Sequence, residues 1–174
     1  MKNILLTSAG VRVKVIKDEV LKLLSKSPSN TKIAYITTAA NYKGYDVKRD
    51  KDFKPLKKLG FQIFSYDIAG KKITEIKKFL GGKDIIYVCG GNTFYLLKEI
   101  KKSGFDKVVK SLVKKGVIYI GVSAGSYVAC PTIEMANWKY PPDKNIVNLK
   151  NLTAMNLVPF LITAHFEEKL RPII

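Results

Sequence analysis

Five short apolar runs, each followed by a turn and then by residues at helical spacing, constrain this chain more than any other feature. They fall at residues 2–7, 32–38, 61–66, 84–88 and 117–122. The last, VIYIGV, is apolar throughout, as suits a parallel strand covered on both faces. After the first run, Val13, Ile16, Val20, Leu21 and Leu24 share one face of a helix expected over residues 11–24. Further helices are expected over residues 45–59, 74–80, 93–102 and 105–115. Pro55 should kink the helix over 45–59 or mark its boundary, and Gly60 suits its C-terminal cap. Regular strand–helix alternation predicts an α/β fold: a doubly wound, mostly parallel sheet with helices on both faces. At 174 residues, with no repeat or linker, the chain reads as one domain spanning residues 1–174. After Cys130 the rhythm changes. Residues 131–150 read as a long loop, and residues 152–157 and 160–164 as short strands.

Charge raises a question of partners. There are 31 Lys and Arg against 14 Asp and Glu, a formal charge of +17 that would attract polyanions. The lysines are spread along the chain in pairs such as Lys57-Lys58 and Lys114-Lys115, near the polar faces or ends of the expected helices. They form no compact basic block interleaved with aromatics, so a solvated surface is preferred to nucleic-acid binding. Cys89 and Cys130 lie in apolar contexts and form no CxxC pair, and a single histidine excludes the usual zinc spacing. Two buried thiols suit a reducing cytoplasm, so a cytoplasmic location is expected. No apolar stretch approaches the roughly 20 residues needed to span a bilayer.

Candidate chemistry gathers at three places. Gly121-Val122-Ser123-Ala124-Gly125 follows the fifth run and precedes a short helical stretch at 126–129. That is the context of a nucleophile elbow, in which a tight turn pushes a serine hydroxyl out above the sheet edge. The Ala124 N–H would point to the same spot, as half of an oxyanion hole. The bland alternative makes Ser123 a helix N-cap. Cys89-Gly90-Gly91-Asn92-Thr93 ends the fourth run and opens a helix, exposing backbone N–H groups suited to an anion. If the fourth and fifth strands are neighbours, Gly91 N–H supplies the other donor. His165, the only histidine, follows an apolar run and is the one side chain with an unperturbed pKa near neutrality, hence the general base for a serine. Between them, Glu134 and Asp143 compete for the carboxylate that would orient it, with Glu134 favoured; Glu167 and Glu168 follow it.

Together these segments resemble the peptidase E family of aspartyl dipeptidases, which shares its fold with class I glutamine amidotransferase domains. The resemblance is carried by LLTSAG at 5–10, IAYITTAAN at 33–41, GGNTFYLLK at 90–98, GVSAGSYVACPTIE at 121–134, LTAMNLVPF at 152–160 and AHF at 164–166. It implies Ser123 as nucleophile, His165 as base, Gly91 and Ala124 as oxyanion donors, and no metal or cofactor. The best-known members carry a catalytic aspartate where an ungapped match puts Trp138, which leaves Glu134 or Asp143 for the acid. They also continue well past the histidine, whereas this sequence stops at Ile174.

The implied activity is hydrolysis of small peptides, dipeptides with an N-terminal aspartate above all. Asn92 and Arg171 are expected to contact the substrate, Arg171 through its acidic side chain. The expected partners are that peptide and a second copy in a homodimer, with no membrane and no nucleic acid. A non-catalytic binding protein on the same fold is the alternative, and a polyanion binder the third reading.

Overall fold

The computed structural model describes residues 3–42, 51–138 and 142–165. Five parallel strands, β1 (Ile4–Thr7), β2 (Lys32–Ile36), β3 (Gln62–Tyr66), β4 (Ile85–Val88) and β5 (Ile118–Val122), form one sheet in the order β1-β5-β4-β2-β3. All five apolar runs therefore become strands. β2, β4 and β5 lie inside the sheet, and their residues from Ile33 to Ile36, Ile85 to Val88 and Ile118 to Val122 are buried. Strand β3 is an edge, and Gln62, Phe64 and Ser65 on it are exposed.

Helices cover both faces. α1 (Lys14–Lys22) and α3 (Phe53–Lys58) bury Val20 and Leu56 against Ile33, Tyr35, Ile85, Tyr87 and Ile120. α4 (Ile73–Leu80), α5 (Thr93–Ser103) and α6 (Phe105–Lys114) bury Ile76, Leu97 and Val109 against Ala34, Ile36, Ile86 and Val88 on the other face. The fold is thus the expected doubly wound α/β sheet. α5 and α6 meet at Gly104, whose φ of +71° ends one helix and starts the next.

The helix expected over 11–24 begins as a 3-10 turn at Gly10–Arg12 and becomes α-helical only at Lys14. Of the helix expected over 45–59, residues 45–50 lie outside the described residues; α3 forms its end. Pro55 occupies the third position of α3, where an N–H has no partner within the helix, so no backbone bond is lost. A short helix, α2 (Thr38–Asn41), was not anticipated. Asp67 holds it, accepting from Thr38 Oγ1 at 2.7 Å and Asn41 Nδ2 at 2.5 Å.

Residues 152–157 and 160–164 form no strands. The backbone of residues 155–157 bonds instead to the residues that follow the helix after β5: Met155 N to Val128 O, Leu157 N to Ala129 O, Asn156 N to Cys130 O. One isolated antiparallel bridge, Thr132 with Thr153, is all the pairing they achieve. Apolar patterning gives a chain a buried face, but a strand also needs an unbroken extended backbone, and Asn156 at φ +49° interrupts it. No helix of the described residues is long and apolar enough to cross a membrane.

Candidate active site

β4 and β5 are neighbours, so the turns that leave their carboxyl ends lie side by side. After β5 the chain reverses at Ser123 into α7 (Ala124–Tyr127). Ser123 has φ +49° and ψ −106°, a backbone conformation that L residues rarely adopt. Such a residue costs on the order of 1–3 kcal/mol and persists only where its surroundings enforce it. Here they do. Ser126 Oγ donates to Thr7 O and Gly121 O and accepts from Thr7 N, while Ser123 N donates to Thr7 O at 2.8 Å. Tyr119 OH donates to Gly125 O at 2.6 Å from full burial, which pushes its phenol far above the usual range.

The flanking glycines are required by crowding rather than by flexibility. A Cβ on Gly121 would run into the Gly125 carbonyl, and one on Gly125 into the Val88 carbonyl of β4. α7 therefore lies directly on the strand ends. Gly91, at φ +147°, packs its backbone on Ala39 so closely that no Cβ fits, and Asn92 N donates to Ala39 O at 2.8 Å. Among the described residues, neither Gly91 N–H nor Ala124 N–H donates to a protein acceptor. A donor left open at the edge of a cleft is what a developing oxyanion needs.

His165 reaches this point from the far end of the chain. Its Nε2 lies 3.0 Å from Ser123 Oγ. Its backbone has φ +59°, again in the left-handed region. The preceding residue is fixed by α7 itself: Tyr127 OH donates to Ala164 O at 3.2 Å and accepts from Ala164 N at 3.0 Å. His165 N donates to Ser8 Oγ at 3.2 Å, which ties it to the turn after β1. Tyr127 and Ser8 were not singled out from the sequence. Tyr127 is fully buried.

The two carboxylates proposed for the histidine differ in their surroundings. Glu134 is exposed at the start of a 3-10 turn (Glu134–Asn137) and makes no hydrogen bond or ion pair among the described residues. Asp143 is engaged by the start of α5, where Thr93 N and Thr93 Oγ1 both donate to its Oδ2. Asn92, expected to touch substrate, is 5% exposed and has both ends of its amide committed. Oδ1 caps α5 by accepting from Tyr95 N, and Nδ2 donates to Lys144 O. Arg171 lies outside the described residues.

A cavity of about 250 Å³ lies over the Ser123–His165 pair, and Ser8, Arg12, Lys51, Asp52 and Gly91 also line it. Arg12 and Lys51 give it cationic walls. Asp52 is the one acidic side chain among its described lining residues, and no motif marks it. No group of three or more His, Cys, Asp or Glu that could hold a metal ion occurs among the described residues.

Comparison with known proteins puts this geometry in context. Residues 4–173 match the pattern of peptidase family S51. An uncharacterized peptidase of Listeria monocytogenes is 36% identical over 169 residues, covering 95% of this chain and 78% of that protein. Peptidase E of Salmonella newport is 33% identical over 171 residues, covering 98% and 71%. Among solved structures, a Listeria monocytogenes protein described as a peptidase E candidate superposes with a TM-score of 0.83. It is 33% identical, and the match covers 99% of this chain and 86% of that one. A peptidase from an acI-B1 Actinobacterium, 16% identical with a TM-score of 0.66, shares the fold.

Proposed function

This chain belongs to peptidase family S51 and is a serine-type peptidase, and from that premise we propose that it hydrolyses small peptides through Ser123 and His165, dipeptides with an N-terminal aspartate in particular. The observation that carries the reading is the 3.0 Å approach of His165 Nε2 to the hydroxyl of a serine held at φ +49°.

Ser123 forms the nucleophile elbow. Its Oγ attacks the scissile carbonyl carbon while His165 Nε2 takes the hydroxyl proton. The carbonyl oxygen becomes an oxyanion, and the Gly91 and Ala124 N–H groups receive it. Each such donor is worth about 3 kcal/mol of transition-state stabilisation. His165 returns the proton to the leaving amine, and the acyl-enzyme is then hydrolysed by water activated at the same imidazole. The proton transfers need no group beyond Ser123, His165 and water. The hydrogen bonds that fix the main chain at Ala164 and His165 support the orientation of the imidazole. An acidic substrate is favoured by the net charge of +17 and by Arg12 and Lys51 in the cavity wall.

The test is treatment with a serine-directed phosphonate, followed by mass analysis of the labelled peptide and assay on Asp-X dipeptides. Label on Ser123 with parallel loss of dipeptidase activity is expected. Full turnover by Ser123→Ala would refute the assignment.

A further inference from the structure

Between α4 and α6 lies a groove of about 490 Å³ that the peptidase chemistry does not use. Its floor is apolar. Ile73 of α4 and Val108 and Leu112 of α6 form it, with Val108 buried and the other two half-buried. Ile73 packs into the corner where α5 meets α6: a Cβ on Gly104 would stand 3.1 Å from Ile73 Cδ1. The rims are cationic and exposed. Lys77 lies on the α4 side, and Lys107 and Lys115 lie on the α6 side with Ser111 between them. The helical repeat sets this order. Val108 and Leu112, four residues apart, make one stripe of α6, and Lys107, Ser111 and Lys115 make the stripe beside it. From Lys107 to Lys115 the helix rises about 12 Å, a little over two turns.

No acidic side chain occurs among the described lining residues. Glu75 of α4 is engaged elsewhere: it accepts from Lys72 N at 2.9 Å and lies 3.8 Å from Lys71 Nζ. The side chains of Lys77, Lys107 and Lys115 make no hydrogen bond or ion pair among the described residues. A solvated lysine surface accounts for such cations but not for the open apolar floor between them. Charge and shape decide among the possible occupants. A second copy would bring +17 against +17. A bilayer surface takes apolar side chains that protrude, whereas these lie lower than the exposed lysines. Nucleic-acid bases stack on aromatic rings, and none lines the groove among the described residues. A helix with an apolar stripe bordered by carboxylates meets both the floor and the rims.

We propose that this groove is the docking site for an acidic amphipathic helix of another protein. The partner's apolar stripe rests on Ile73, Val108 and Leu112, and its carboxylates face Lys77, Lys107 and Lys115. Lys115 shortly precedes β5, so the groove reaches toward the amino ends of the strands, and it shares no lining residue with the cleft over Ser123 at their carboxyl ends. Docking there leaves that cleft open and does not depend on the Ser123–His165 chemistry.

The test is fluorescence anisotropy of the unaltered protein with a labelled helical peptide of about 18 residues, five turns. Its leucines recur at i, i+3, i+4 and i+7 and are bordered by glutamates. One control peptide has the same residues in scrambled order, and a second has glutamine for every glutamate. The patterned peptide should bind roughly ten-fold more tightly than either control. Lys107→Glu combined with Lys115→Glu should weaken it roughly ten-fold, as should Leu112→Ala. Lys57→Glu combined with Lys58→Glu, the same charge change on α3, should leave it near the parent's affinity. Equal binding of patterned and scrambled peptides, or equal loss for the two charge reversals, leaves only a diffuse cationic field and overturns the proposal. Absence of binding at about 1 mM peptide overturns it as well. Self-association of the protein, or binding of an oligonucleotide or of anionic vesicles, that the groove variants abolish while peptide binding persists would assign the groove to that occupant and refute the inference. Where a variant fails to fold by circular dichroism, the three peptides on the unaltered protein decide.

Discussion

Replacing Tyr127 by Phe removes one oxygen atom and should cost the protein most of its turnover while leaving its core intact. The ring is fully buried and stays so in the variant. What disappears is the pair of hydrogen bonds to Ala164, N–H to hydroxyl at 3.0 Å and hydroxyl to carbonyl at 3.2 Å. Each is worth about 1 kcal/mol net, so the bias holding residue 164 in place falls by about 2 kcal/mol. Ala164 is 1% exposed, so its freed N–H and C=O must move to find water. His165 would move with them, away from the 3.0 Å approach to Ser123. If that bias goes wholly into the population of the competent geometry, kcat falls roughly thirty-fold, with little change in KM because Arg12, Lys51 and Gly91 in the cavity wall stay in place. The assays are steady-state kinetics on an Asp-X dipeptide and hydrogen exchange at the Ala164 amide. Faster exchange together with a kcat within three-fold of the parent would show that Tyr127 fixes the segment but not the base, and the positioning argument would be wrong.

Four further variants can be checked. Ser123→Gly should be inactive yet melt at a higher temperature than the parent, because glycine relieves a strain of about 1 kcal/mol at φ +49°; an unchanged or lower melting point would mean that the turn is not strained. Glu134→Gln should stay within a few-fold of the parent in kcat, since the carboxylate is exposed and unbonded among the described residues. Asp143→Asn should instead lower stability by loosening the start of α5. A loss of about 10⁴ in turnover for either variant would identify it as the acid of a triad. Burial raises the Asp84 carboxyl, but Lys32 N–H and Lys26 Nζ outweigh this and hold it below the ordinary carboxylate value. Its contribution is therefore present above the unfolded-state pKa and lost as pH falls through the lower folded value. Asp84→Asn should flatten the acid limb of the melting curve, and a limb as steep as the parent's would refute the linkage.

What could be read from the sequence follows a physical divide. Strands β2, β4 and β5 are buried on both faces, so their apolar runs carry the signal unaided. The turn at Ser123 could be found because its glycines flank the serine within five residues. The fate of residues 152–164 could not, since it depends on bonds to α7 and the segment after it and on the left-handed backbone at Asn156. Asp52 and Tyr127 escaped for the same reason. One enters the cavity wall only because the fold sets it beside Arg12, and the other gains its meaning from a backbone segment 37 residues on. The charge of +17 pointed toward acidic ligands but could not locate the cations that line the cleft.

The crowding at Gly91, Gly121 and Gly125 bears on how such a sequence can drift. Each of these positions faces a backbone carbonyl that leaves no space for even a methyl group. No single substitution is tolerated there unless a neighbouring segment of main chain retreats, and that requirement is indifferent to the reaction performed. A descendant that exchanged Ser123 for another residue, and gave up hydrolysis altogether, would still be held to all three glycines. They record how closely α7 and the turn after β4 are stacked on the strand ends. The capacity to cleave a peptide has to be read at Ser123 and His165 instead.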